Sequence, residues 1–118
     1  MSSFSEPLKV MQISKNLWMT LEDFTFNYND EIIKVPTGTK TDFASIPRFL
    51  WTFFPPIGKY TQSAVLHDFL VVENKRSWKE CADIFLEAMK VQEVGEWRRN
   101  TMYFFVRAYG YVRKNEKK

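Results

Sequence analysis

The chain is 118 residues long, a size that suits one domain and supports a real core. Aromatic residues make up 17% and charged residues 26%, which excludes intrinsic disorder and lets a few rings supply much of the buried area. The formal charge of +3 does not mark a nucleic-acid binder, because residues 1–59 hold six acids and six bases, and "RKNEKK" at 113–118 sets four bases against one acid.

Cys81 is the only cysteine, so neither an intrachain disulfide nor a cysteine zinc cage is available, and a reducing cytoplasm is the expected setting. The opening "MSSFSEPLKVMQIS" lacks the basic start and apolar stretch of a signal peptide. No segment approaches about 18 uninterrupted apolar residues, so no membrane span is expected.

In chain order, "LWMTLEDFTFNY" (17–28) ends in alternation, with Phe24, Phe26 and Tyr28 on one face and Thr25 and Asn27 on the other. That pattern predicts a half-buried strand. "NYND" supplies turn residues, and "EIIKV" (31–35) is the returning strand of a hairpin, ended by Pro36 and Gly38. "SIPRFLWTFF" predicts a short helix, with Ser45 as cap and Pro47 in the first turn, stopped by Pro55 and Pro56. "TQSAVLHDFLVVE" (61–73) predicts a helix capped at Thr61 and apolar on nearly every face. Such a helix belongs at a domain centre, which makes His67 and Asp68 conspicuous in its middle.

"SWKE" at 77–80 is a capping-box pattern that opens a helix through about Gln92. Ala82, Phe85 and Met89 form its inner stripe, with Asp83 beside it. After a break near Gly95, a last helix is predicted over roughly 96–113, with Met102, Val106 and Tyr109 on one face and Phe105 nearby. The expected fold is α+β: a small antiparallel β-hairpin or sheet from the N-terminal half, packed against about three main α-helices. One domain spans 1–112, and 113–118 reads as a frayed basic tail.

The polar residues that stand out are Asp42, Ser45 and Arg48 in "TDFASIPR" (41–48), His67 and Asp68, and Asp83. Two readings are open. In the first they form a buried hydrogen-bond network: Arg48 takes Asp42 or Asp68 bidentately, Asp42 accepts loop N–H groups, Ser45 caps, and His67 is a satisfied core histidine. In the second they perform chemistry. Asp42, Ser45, Arg48, His67 and Asp68 are then the catalytic candidates. Asp42, His67, Asp68 and Asp83 would be the ligands for a divalent metal such as Mn²⁺, Mg²⁺ or Zn²⁺.

Tandem His-Asp within a helix is similar to the HD-type metal phosphohydrolases, but their further histidines are absent, and helix neighbours diverge by about 100°. No nucleophile-elbow pattern surrounds Ser45, Cys81 reads as an inert core thiol, and four glycines form no phosphate loop. No cofactor is called for beyond a divalent metal. Trp51, Phe53, Phe54 and Tyr60 read as core or as a contact surface. Trp97, among charges in "GEWRRN", reads as an exposed partner contact, with Trp51 as a second.

"VPTGTKTDFASIPRFLWTFFPPIGKYTQSAVLHDFL" resembles a family found mainly in tailed bacteriophages and prophages, domain of unknown function 1353. Its pattern V-P-x-G-x-x-T-D-x-A-S-x-P-R falls on Val35, Pro36, Gly38, Thr41, Asp42, Ala44, Ser45, Pro47 and Arg48. A-x-x-H-D-x-L falls on Ala64, His67, Asp68 and Leu70, and a third part on Ala82, Asp83, Phe85, Ala88 and Met89. "MYFFVRAYG" resembles the closing helix, and the resemblance covers roughly 31–110. It implies a phage origin and a shared polar cluster, and no activity.

The expectation is a phage-encoded small accessory or virion-associated protein, acting as an interaction or assembly module on a phage structural or host protein. Its place of synthesis would be the bacterial host cytoplasm, with the virion as a further destination. A metal-dependent hydrolase using Asp42, His67 and Asp68 is the alternative, and a host-takeover protein binding a bacterial enzyme is the second. Oligomeric state is not legible at this level.

Overall fold

A computed structural model of the chain describes residues 2–14, 17–41 and 61–116, with side chains described through residue 108. The strands are β1 (Ser3–Phe4), β2 (Val10–Ser14), β3 (Leu17–Thr20), β4 (Phe24–Tyr28), β5 (Glu31–Val35) and β6 (Lys40–Thr41). The helices are α1 (Thr61–Glu73), α2 (Trp78–Val91) and α3 (Glu96–Glu116). The strands form two antiparallel sheets of three, in the orders β1-β4-β5 and β2-β3-β6. The result is the α+β architecture that the alternating and helical stretches predict.

The hairpin β4–β5 is built as its residues demand. Phe24 and Phe26 point to the core, with Ile33 and Val35 from β5. The ring of Phe4 in β1 packs on Phe24 at 5.8 Å and on Phe26 at 4.7 Å between centroids. Tyr28 pairs with Glu31, which leaves a two-residue loop of Asn29 and Asp30. Both have positive φ, 46° and 74°, the backbone of a primed hairpin turn, whose twist matches that of the strands. The Asn27 side chain accepts from the Asp30 N–H at 3.1 Å and holds the turn.

The run 17–28, predicted as one strand, is two strands in different sheets, broken over 21–23. The reason is polar. Asp23 Oδ1 accepts from the Thr37 N–H at 2.6 Å and the Thr37 hydroxyl at 2.7 Å. The Thr20 hydroxyl donates to the Pro36 carbonyl at 2.9 Å and accepts from the Thr39 N–H at 3.0 Å. These bonds turn the chain onto the 36–39 corner. There Gly38, at φ 87°, donates its N–H to the Thr20 carbonyl at 3.0 Å from a left-handed conformation that glycine adopts freely. β1 and β6 have two residues each, and β2 is almost wholly exposed, so none shows an alternation that a sequence pattern can register.

α1 is buried along most of its length, as an all-round apolar helix requires. Thr61 is its first helical residue rather than its cap, and the first turn is met from elsewhere. Gln92, just past α2, accepts from the Ser63 N–H at 3.1 Å and the Ser63 hydroxyl at 2.5 Å. Gln62 in turn donates to the Glu6 carbonyl at 2.8 Å. α2 begins as "SWKE" predicts, with Ser77 Oγ accepting from the Glu80 N–H at 3.1 Å. The Glu80 carboxylate does not close the box and takes Arg76 at 3.0 Å instead.

α2 lies between α1 and α3. Ala82, Phe85 and Met89 are buried, as are Met102 and Val106 of α3. α3 runs to Glu116, three residues beyond its predicted end. No helix among the described residues is long and apolar enough to cross a membrane. The short helix predicted at 45–54 lies outside the described residues.

Candidate functional site

Asp42, Ser45, Arg48 and Trp51 also lie outside the described residues. The half of the predicted cluster on α1 and α2 is described, together with the strand that leads to the loop. β6 pairs with β3 through Trp18 opposite Thr41 and Met19 opposite Lys40. This carries Thr41, itself buried, to α1, where its hydroxyl donates to Asp68 Oδ2. Among the described residues, Thr41 therefore joins the first motif to the second. It stands in the motif but carries no charge, so a search for catalytic chemistry passes over it.

His67 turns the other way. Its side chain is 1% exposed, with its ring 5.2 Å from Phe85 and edge-on to Trp78 at 6.0 Å. The Trp78 indole N–H donates to the Val106 carbonyl of α3 at 2.8 Å, so the wall beside the imidazole is pinned to a third helix. Nδ1 lies 3.8 Å from Asp68 Oδ1, beyond hydrogen-bond reach. Nε2 is buried with no hydrogen-bond partner among the described residues. Metal-binding and catalytic imidazoles are held in one tautomer by a bond to their second nitrogen, and His67 lacks that bond among these residues. Its ring acts here as packing between α1 and α2.

Asp83 is engaged elsewhere. Oδ1 accepts from the Tyr103 hydroxyl at 2.5 Å and Oδ2 binds Lys79 at 2.9 Å. Partial burial pushes its carboxyl up, but the Tyr103 and Lys79 contacts outweigh that and leave it below its ordinary range. Among the described residues, no three His, Cys, Asp or Glu side chains converge as a metal centre needs. The Cys81 thiol is buried, and that burial pushes it up to about 11, so it is protonated and inert at neutral pH.

Trp97 lies on the outer side of α3, as does Phe104, which the sequence reading did not single out. Its place seven residues on from Trp97 was the available signal.

The pattern of the family described as protein of unknown function (DUF1353) matches residues 18–106, from β3 to the middle of α3. The chain belongs to this family. The match takes in Thr41, His67, Asp68 and Asp83, and leaves β1 and β2 outside it. Two relatives come from Sinorhizobium fredii (strain NBRC 101917 / NGR234). Uncharacterized protein y4jT is 35% identical over 78 residues, which cover 64% of this chain and 23% of that protein. Uncharacterized protein y4iH is 34% identical over 74 residues, covering 61% of this chain and 31% of that protein. The chain thus spans 23% and 31% of the length of the two curated relatives it matches. No solved structure matches it.

Proposed function

We propose that this chain is a small accessory protein of phage or prophage origin that works by contact, as an interaction and assembly module. The observation that carries the reading is the outer face of α3. Trp97 is 68% exposed and Phe104 65%, two turns apart on the side opposite the buried Met102 and Val106. Phe105 packs edge-on against Phe104 at 5.5 Å, and the exposed Arg98 follows Trp97 in the chain. Tryptophan and arginine dominate the energetics of protein contacts, and rings this exposed lose unfavourable water contact when covered. The match to about 75 to 80 residues of longer proteins suits a unit that works joined to other parts. The phage setting, synthesis in the bacterial cytoplasm and a destination in the virion rest on the two-part motif.

Capture from phage-infected bacterial cells tests the reading. Wild-type chain is expected to retain a specific phage or host protein that the double variant Trp97→Ala/Phe104→Ala releases. Equal capture by both, or by neither, sinks it. A bacterial enzyme as the captured protein would be the host-takeover form of the same reading.

The second reading, a metal-dependent hydrolase using Asp42, His67 and Asp68, is favoured by the buried His67 Nε2 that has no partner among the described residues. Calorimetric titration with Mn²⁺ and Zn²⁺ tests it. Binding that is lost in His67→Ala and Asp42→Ala chains that still fold would establish it, and no binding by the wild type would remove it.

A further inference from the structure

We draw no further inference here: the strongest candidate, the side-chain cluster of Thr41, His67 and Asp68 where β6 meets α1, belongs to the site already described.

Discussion

At the scale of single residues, Gln92 and His67 show opposite ways to bury a polar group. Gln92 closes the first turn of α1 from the end of α2, accepting two bonds from Ser63 and donating to Gln62 Oε1 at 3.4 Å. Gln92→Leu leaves those groups unpaired, and a loss of about 1–3 kcal/mol in urea unfolding is expected. His67 presents a nitrogen with no partner among the described residues, but its ring fills the space beside Phe85 and Trp78. Thermal melting should therefore separate two variants: His67→Ala costs about 2–4 kcal/mol by opening a cavity, and His67→Phe costs less than about 1 kcal/mol. Equal damage from both would mean that the nitrogen matters more than the ring. Thr41→Val removes the bond to Asp68 at constant shape and is expected to cost about 1–2 kcal/mol in the same measurement.

At the scale of elements, carboxylates hold two corners. Thr37's hydroxyl and N–H, with help from Lys34, hold the Asp23 carboxyl below its ordinary value of 3.8. Asp83, where Tyr103 and Lys79 outweigh partial burial, lies below the same value. Groups lowered in this way contribute stability that is fully present above 3.8 and is lost as pH falls through their folded values. The urea midpoint is expected to fall as the pH drops below about 4, and Asp23→Asn/Asp83→Asn should flatten that fall while lowering the plateau above it. An unchanged acid limb would show that other carboxylates carry it. The capping serine of α2 and the turn residues of the β4–β5 hairpin were legible because each works within a few residues of itself. Gln92 was not, because the helix it closes begins some thirty positions earlier.

At the scale of the whole molecule, the family match begins at residue 18, yet the core begins earlier. Phe4 covers Phe24 and Phe26, and the Glu6 carbonyl accepts from Gln62 at the start of α1. A chain lacking residues 1–8 is therefore expected to unfold about 2–4 kcal/mol more easily by denaturant melting, although every motif residue remains. Equal stability would mean that the matched segment is self-sufficient.

What the amino-acid sequence determined by itself is whatever depends on near neighbours and on period: the β4–β5 hairpin with its Asn29–Asp30 turn, the central α1, the cap of α2, and the inner stripes of α2 and α3. These are legible because alternation and helical spacing are local consequences of backbone geometry. The candidate residues His67, Asp68 and Asp83 were legible as types, but their company was not. Only the tertiary structure decided that Asp68 faces Thr41 on β6, that His67 faces the rings of α2, and that Asp83 turns to Tyr103. The break at Leu21–Asp23, which sends β3 and β4 into different sheets, was decided there too. Each of these outcomes hangs on a partner from about twenty or more residues away or from another element, and a one-dimensional pattern does not encode which distant groups the chain brings together.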